Sequence, residues 1–342
     1  MEIVYTNAPD TLNITEYDDY FDVLQKKVDI ANSFYMTICS VAFLIGTTGN
    51  GLVIWFTVFR LKKTLNVMWF LNLAVADFML TSFLPFSIST IALRHHWPLG
   101  TFMCKFNGFI VSLSQSVSVL QLTAISIDRC ITVVFPVWCQ NHRTTKLASV
   151  AILVIWIISF AFSLPLLIFN KTYQIFDNYI VCYTASYEMF VTNVILRFIM
   201  FFVLPFTVIV SCYTIIAIHI QRKHIIQSSK PFKIIAAVIS SFFVCWLPLH
   251  IFLLLNISES NAFFYIVVIG MPVVSSLIFI NSCINPLIYV FIGREFKEKF
   301  WSSIQATFEK AFSEETDKKK VSLGHNTQVC PEYNQDHKGE VI

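Results

Sequence analysis

Residues 147–170 read LASVAILVIWIISFAFSLPLLIFN, a stretch that contains no Asp, Glu, Lys or Arg. About 20 apolar residues in a helix are enough to cross the hydrocarbon core of a bilayer, so the stretch predicts a transmembrane helix. It is apolar on every side and lacks the alternation of a membrane β-strand. A helix is therefore the structure that satisfies its backbone hydrogen bonds in lipid.

Six more stretches have the same character. Four contain no charged residue, at 30–59, 106–127, 234–258 and 260–293. Two contain one each, Asp77 within 65–93 and Arg197 within 189–221. We number the seven stretches as spans 1 to 7 in chain order. They predict an all-α membrane protein, a bundle of seven transmembrane helices.

The composition excludes other classes of protein. Charged residues make up 13% of the 342 residues and hydrophobic residues 56%, whereas a soluble domain carries about 25% charged residues. The net charge of +3 is too small to attract a phosphate backbone, and 9 glycines are few for a nucleotide-cradling loop. We therefore expect neither a water-soluble globular protein nor a nucleic-acid partner.

Basic residues accumulate behind the odd-numbered spans, and this asymmetry predicts the orientation. The positive-inside rule places these loops in the cytoplasm, with the N-terminus outside and the C-terminus inside. The residues concerned are Arg60, Lys62 and Lys63 after span 1, Arg129, Arg143 and Lys146 after span 3, Arg222, Lys223, Lys230 and Lys233 after span 5, and Arg294, Lys297 and Lys299 after span 7.

The chain divides into four regions. Residues 1–29 carry seven acids and two lysines and are predicted to form an acidic extracellular tail, and residues 30–293 form the bundle. Aromatic residues recur near helical spacing in 294–312, which predicts an amphipathic helix on the inner membrane surface. Residues 313–342 are polar and are expected to be a disordered cytoplasmic tail. Glycosylation sequons begin at Asn13 and Asn170 on the predicted outer side.

The two charges inside the spans are candidate functional residues, because a charge at membrane depth costs at least ~2.5 kcal/mol. Asp77 is either a neutral, hydrogen-bonded carboxyl group or an anion that holds a cation. Oxygen atoms for such a cation are available on spans 3 and 7, from Ser118, Asn281, Ser282 and Asn285. Arg197 stays charged and must face a wet cavity or an acid. Other spans supply no acid at its level, so we expect a ligand carboxylate or polar backbone as its partner.

Other local patterns indicate sites of conformational change. The pair Asp128-Arg129 closes span 3 on the cytoplasmic side and could exchange partners in a switch, although an ordinary boundary ion pair has the same sequence. Prolines inside the spans predict helix kinks. They are Pro85, Pro165, Pro205, Pro248 and Pro286.

Motifs that occur in order, one per span, resemble those of the rhodopsin-like G-protein-coupled receptors. The similarity extends over about residues 30–310. The motifs are Gly49-Asn50, LAVAD at 73–77, Asp128-Arg129-Cys130, Trp156, Pro205 with Tyr213, CWLP at 245–248 and NPLIY at 285–289.

This resemblance implies a function and several residue roles. It implies a plasma-membrane receptor that couples to heterotrimeric G proteins, commonly of the inhibitory type, and to arrestin once receptor kinases have phosphorylated its tail. It implies a disulfide between Cys104 and Cys182, and a sodium ion at Asp77 that favours the inactive bundle. In the implied switch, Arg129 leaves Asp128 and inserts toward the G protein, with Tyr213 and Tyr289 lining the gap.

Shorter motifs are similar to two groups of chemoattractant receptors. WFLNL at 69–73 resembles the chemerin receptors, and PVWCQNHRT at 136–144 resembles the formyl-peptide receptors. Arg197 matches a ligand-contacting arginine of the formyl-peptide receptors, whereas Asn193 and Ser112 stand where those receptors have a second arginine and an aspartate. His250 agrees better with the chemerin receptors, and Gln115 and Trp246 complete the predicted pocket. A formyl-peptide-like, a chemerin-like and an orphan receptor therefore all stay open.

The extracellular tail predicts the character of the ligand. Tyr17 and Tyr20 lie among acids in EYDDYFD at 16–22 and resemble sulfated tyrosines of such receptors. We expect a peptide or small protein with a basic body and an apolar end that reaches Arg197. A transporter would need polar residues in several spans, and an intramembrane enzyme would need a catalytic cluster at depth. A non-signalling relative is disfavoured by Asp128, Arg129 and Tyr289.

Overall fold

The computed structural model describes residues 14–176, 178–184, 186–222, 230–258 and 261–292. Within these ranges, the side chains of 14–18, 230–239, 261–262 and 287–292 are not described. Asn13, the amphipathic helix predicted at 294–312 and the tail at 313–342 lie outside the described residues.

The described chain is mostly helical. Its helices are α1 (Ile14–Phe59), α2 (Leu65–Ser82), α3 (Leu84–Ala92), α4 (Gly100–Val134), α5 (Pro136–His142), α6 (Thr145–Phe169), α7 (Tyr187–Phe198), α8 (Leu204–Arg222), α9 (Lys230–Asn256) and α10 (Asn261–Ile292), with a π-helical turn at Ile199–Val203 between α7 and α8. Two strands follow α6, namely β1 (Asn170–Phe176) and β2 (Tyr179–Thr184).

The helices reproduce the seven predicted spans. Span 1 is α1, span 2 is α2 with α3, and spans 3 and 4 are α4 and α6. Span 5 joins α7, the π-helical turn and α8, and spans 6 and 7 are α9 and α10. Among the described residues, six helices are long and apolar enough to cross a membrane, and Ser240–Asn256 of α9 is a shorter apolar helix. The prediction of a seven-helix bundle is confirmed.

Span 3 organises the bundle. It packs against spans 2, 4 and 5 and contributes a long series of buried small side chains, including Ser112, Ser116 and Ser118. Beside it lies a core cluster in which Phe202 of span 5 stacks on Phe242 of span 6, with ring centroids 6.0 Å apart. These contacts place the inward faces of spans 3, 5 and 6 around one interior.

Helix α1 differs from the prediction because it begins at Ile14 rather than near residue 30. The segment 14–29, predicted as part of the tail, is therefore helical and extends the span by about 24 Å at 1.5 Å per residue. The Gln25 amide donates to Asp29 Oδ1 at 3.0 Å, which links successive turns.

The prolines break or bend helices where the sequence predicted. Span 2 is interrupted at Phe83, next to Pro85 in the first turn of α3. In span 5 the π-helical turn lies just before Pro205, which cannot donate a backbone hydrogen bond. Pro165, Pro248 and Pro286 lie inside their helices, as does Pro272 of span 7. Irregular backbone therefore occurs within several of the spans.

An antiparallel hairpin lies outside the helical bundle, in the connection between spans 4 and 5. Strands β1 and β2 pair from Asn170 opposite Thr184 to Phe176 opposite Tyr179 in the loop between spans 4 and 5. The first outer loop holds this hairpin through three hydrogen bonds, one of which the Tyr179 hydroxyl donates to the Arg94 carbonyl. Trp97 N–H donates to the Ile180 carbonyl at 2.7 Å, and Ile180 N–H donates to His96 Nδ1 at 3.1 Å. The hairpin is thus fixed over the outer side of the bundle.

Candidate functional site

Arg197 is positioned by spans 3 and 4. Its guanidinium group donates to Ser112 Oγ of span 3, and Ser112 in turn donates to Ser163 Oγ of span 4 at 2.7 Å. Both serines are buried. Neither of the two salt bridges among the described side chains includes Arg197. The arginine therefore presents a positive charge to the interior while its hydrogen bond goes to a neutral hydroxyl group.

Two buried aromatic side chains lie one helical turn apart on span 6. His250 and Trp246 are 4% and 5% exposed, and their rings lie 6.2 Å apart. Phe198 and Phe202 of span 5 pack against His250, with ring centroids at 5.6 and 5.1 Å. Neither ring nitrogen of His250 nor the indole Nε1 of Trp246 has a partner among the described residues. Buried polar groups normally form hydrogen bonds, so these unpaired atoms make the two side chains candidates for a functional contact.

Two further residues of the predicted pocket lie on the same helix faces as Ser112 and Arg197. Gln115 follows Ser112 by three positions on span 3, and Asn193 precedes Arg197 by four positions on span 5. Residues at these spacings share one face of a helix. Both side chains are half-buried. The structure thus groups Arg197, Ser112, Gln115 and Asn193 on adjacent faces, with His250 and Trp246 on span 6.

The structure joins Cys104 and Cys182 by a disulfide bond. Cys104 lies in the first turns of α4, and Cys182 lies on β2, opposite Thr172 of β1. The bond ties the hairpin to the outer end of span 3, eight residues before Ser112. The other described cysteines are not in disulfides; they are Cys39, Cys130, Cys139, Cys212, Cys245 and Cys283.

Asp77 lies in a polar cluster between spans 2, 3 and 7. It is fully buried, and its two carboxylate oxygens accept hydrogen bonds from Ser118 Oγ at 2.9 Å and Asn285 Nδ2 at 2.7 Å. Asn281 and Ser282 are also buried, and the Ser282 carbonyl accepts from Asn50 at 3.2 Å. No cationic side chain pairs with Asp77 in the described part of the chain. A carboxylate with hydroxyl and amide oxygens nearby fits a hard cation.

The inner end of span 3 corrects the predicted switch. Asp128 is bound by Arg143 and not by its neighbour Arg129. Arg143 Nε and Nη2 donate to the two carboxylate oxygens, both at 2.7 Å, and Nη2 also donates to Asn66 Oδ1 at 2.8 Å. The two parallel bonds are the bidentate geometry that a planar guanidinium forms with a carboxylate. The hydrogen bond to Asp128 raises the pKa of Arg143 above its ordinary value.

Among the other residues of the predicted switch, the structure describes the side chains of Arg129 and Tyr213. Tyr213 of span 5 lies near Ser126 and Arg129 of span 3. Arg129 itself is half-buried. The side chain of Tyr289 lies outside the described residues. Spans 3 and 5 thus pack together with Tyr213 near Arg129, and the contribution of Tyr289 stays an expectation.

Sequence reasoning missed Arg143, Asn66 and Ser163. Arg143 entered only the count of cytoplasmic basic residues, although an isolated acid at a helix end needs a cation and Arg143 was among the candidates. Asn66 and Ser163 carried no signal, because a single polar residue at a span boundary or on a helix face is common. Their roles depend on which spans are neighbours, and this is a property of the folded bundle.

Of the residues predicted to be glycosylated or sulfated, the structure describes the side chains of Asn170 and Tyr20. Asn170 is 8% exposed, its Oδ1 accepts from Thr184 at 2.9 Å, and its Nδ2 packs against Gly108. Asn170 is therefore buried and hydrogen-bonded in this structure, and its glycosylation stays a prediction. The Tyr20 ring packs edge-on against Tyr265 of span 7 at 5.4 Å. The side chain of Tyr17 and all of Asn13 lie outside the described residues.

Comparison with known proteins agrees with this architecture. Residues 49–289 match the family described as 7 transmembrane receptor (rhodopsin family). The chain is 37% identical to Chemerin-like receptor 1 of Homo sapiens over 327 residues, which cover 88% of this chain and 87% of that protein. It is 39% identical to N-formyl peptide receptor 3 of Pan troglodytes over 317 residues, which cover 87% and 91%. The chain therefore belongs to the rhodopsin family of seven-transmembrane, G-protein-coupled receptors and is a multi-pass protein of the plasma membrane rather than an enzyme.

Proposed function

We propose that the receptor is activated by a peptide or small-protein chemoattractant and transmits this binding to a heterotrimeric G protein of the inhibitory type. Its relatives are named for chemerin and for N-formyl peptides, which are both polypeptide ligands. The seven-helix bundle supplies the path between the two sides of the membrane. Receptor kinases and arrestin are the further partners that we expect at the cytoplasmic tail.

The arrangement around Arg197 carries this proposal. A positive charge at membrane depth is costly, and its partner Ser112 is a neutral hydroxyl that returns little of that cost. An anionic or strongly polar group of a ligand would complete the site. The terminal carboxylate of a peptide has the right charge and can accept two parallel hydrogen bonds from a guanidinium group. The aromatic residues on spans 5 and 6 suit an apolar side chain next to that terminus.

The acidic N-terminal region supports a second point of contact. Residues 1–29 hold seven acids against two lysines, a net charge of −5. Such a charge attracts a basic ligand at long range and raises its association rate more than its final affinity. Sulfation of Tyr17 or Tyr20 would add negative charge. On Tyr20 it would also alter the hydroxyl next to Tyr265, so the two tyrosines are not equivalent.

The inner end supports coupling through Arg129. Since Arg143 binds both oxygens of Asp128, Arg129 does not have to leave Asp128 before it can reach a partner. We propose that outward movement of span 6 opens the inner end, and that Arg129 then contacts the G protein beside Tyr213. In this mechanism Arg143 competes with Arg129 for Asp128 and keeps Arg129 available.

We also propose that the Asp77 cluster holds sodium in the inactive receptor. Asp77, Ser118 and Asn285, with Asn281 and Ser282 nearby, would supply the oxygen atoms, and the ion would balance the buried carboxylate. When bound, sodium provides positive charge at a site where the described protein has none. The hydrogen bonds that Asp77 accepts hold spans 2, 3 and 7 together in either case.

A cell assay tests the proposed function. Cells that express the chain are exposed to chemerin-derived peptides, formylated peptides, amines and lipids, and the inhibition of cyclic AMP synthesis is recorded. We expect inhibition by at least one peptide class and loss of it in Arg129→Ala, with peptide binding retained. Peptide binding without any G-protein response would instead indicate a non-signalling receptor. A response confined to amines or lipids would contradict the proposal.

A further inference from the structure

A groove between span 1 and span 7 opens on the outer half of the bundle. Its volume is about 360 Å³, which lies within the size range of small-molecule sites in proteins. Its lining combines one cation with aliphatic and aromatic side chains. The lining residues are Lys27, Ile30, Ala31, Phe34, Ile269 and Val273.

Helical spacing makes the groove continuous. The four residues of α1 follow one another at intervals of three, one and three positions and share one face, and the two residues of α10 are four positions apart. Ala31 is 5% exposed and forms the floor. Ile30 and Phe34 are 70% and 46% exposed and form the walls, which face the bilayer. A small residue between larger ones therefore creates the depth of the groove.

The position of the groove along span 1 matches the upper part of the outer leaflet. The charge-free run of span 1 begins at residue 30, so Lys27 lies just above it, where lysine side chains reach the membrane interface. From Lys27 to Phe34 the helix rises about 10 Å at 1.5 Å per residue. Placing the charge-free run in the hydrocarbon core puts the ammonium group near the lipid phosphates and the apolar lining beside the acyl chains.

Lys27 forms no salt bridge with another described side chain. The nearest acid along α1 is Asp29, which pairs with Arg94 at 3.5 Å and accepts from Gln25 at 3.0 Å. Four positions before and after Lys27 on its helix stand Val23 and Ala31. Lys26, by contrast, follows Asp22 by four positions. Lys27 is therefore a cation placed over an apolar groove, the complement of a phospholipid with its anionic phosphate and apolar acyl chains.

We propose that a phospholipid of the outer leaflet binds in this groove, with its phosphate on Lys27 and one acyl chain against Ala31, Phe34, Ile269 and Val273. The phosphate of a phospholipid sits at the depth of Lys27, and the chain below it is long enough to follow the groove. A sterol offers only a neutral hydroxyl to the ammonium group, which is a weaker partner than a phosphate. The bound lipid contacts span 1 and span 7 together and stabilises their association.

Photo-crosslinking in nanodiscs tests this site. The full-length receptor is reconstituted with phosphatidylcholine that carries a photoactivatable group in its acyl chain, irradiated, digested and analysed by mass spectrometry. We expect labelling of the peptides that contain Ile30, Phe34, Ile269 or Val273. Lys27→Ala should reduce this labelling several-fold. Lys26→Ala removes the same charge one position away and should leave it unchanged. Ala31→Trp fills the floor of the groove and should abolish it.

Unspecific lipid contact and sterol binding would each give a different pattern of labelled peptides. Equal labelling in the Lys27→Ala and Lys26→Ala proteins would show unspecific contact with bulk lipid and would overturn the proposal. Photoactivatable cholesterol that labels the same peptides, and is displaced by cholesterol and not by phosphatidylcholine, would assign the groove to a sterol. If Ala31→Trp does not fold, the comparison of the two lysine variants still decides the question.

Discussion

Single charged residues inside apolar runs were the most informative positions in this sequence. Asp77 and Arg197 stood out because each interrupts a run that otherwise has no charge, and both lie among polar partners in the structure. The sequence could not identify those partners. Whether Ser112 or another serine of span 3 meets Arg197 depends on how the helices are rotated in the bundle.

Replacing Asp77 tests the sodium proposal. In the native receptor we expect added sodium chloride to weaken agonist affinity several-fold, because the ion stabilises the inactive arrangement of spans 2, 3 and 7. Asp77→Asn removes the charge that attracts the ion and should abolish the effect. Agonist binding is measured in sodium chloride and in choline chloride at equal ionic strength. Equal sodium sensitivity of both proteins would show that Asp77 has another role.

Replacing Arg143 tests the corrected switch. In Arg143→Ala, Asp128 loses its bidentate partner and can turn to Arg129, so agonist-stimulated nucleotide exchange should fall several-fold while ligand binding stays unchanged. The additional change Asp128→Asn should restore exchange, because it removes the competing carboxylate. Asn66→Ala, which removes only the weaker contact of Arg143, serves as the control. Normal exchange in Arg143→Ala would contradict this account.

At the scale of helices and strands, the spans were predictable and their ends were not. A run without charge predicts a membrane helix whatever its neighbours are, so all seven spans could be located. Charge does not end a helix in water, so nothing in the sequence marked the continuation of α1 to Ile14. The hairpin was missed because β1 and β2 show no regular alternation; Asn178, with φ of 66°, tolerates the left-handed turn between them.

The contact between spans 6 and 7 supplies a test at this scale. A Cβ atom on Gly270 would lie 2.1 Å from Cε1 of Phe252, whereas one on Gly49 would lie 3.4 Å from Pro286. Gly270→Ala should therefore destabilise the receptor by about 1–3 kcal/mol through overpacking, and Gly49→Ala should have little effect. The melting temperature in detergent measures both. Phe252→Leu should recover part of the loss, and equal melting temperatures for the two alanine variants would contradict the packing.

At the scale of the whole molecule, charge is separated across the membrane. The outer N-terminal region is acidic and the inner loops are basic. If the acidic region attracts a basic ligand, association should slow steeply with added salt, and dissociation should change little. Asp19→Asn with Asp22→Asn should reduce both the association rate and its salt dependence, as measured by surface plasmon resonance. A salt-independent association rate in the native receptor would exclude this role.

The most direct test of the account is a double-mutant cycle in which residue 197 of the receptor and the C-terminus of an active peptide are both changed. Each peptide is prepared as a free acid and as a C-terminal amide, and nucleotide exchange is measured with native receptor, Arg197→Ala and Arg197→Lys. We predict that amidation weakens activation of the native receptor about tenfold or more, as for a hydrogen-bonded charge pair, and that Arg197→Lys keeps part of the difference. In Arg197→Ala, acid and amide should be equally weak. A full preference for the acid in Arg197→Ala would contradict the central claim that Arg197 binds the carboxylate.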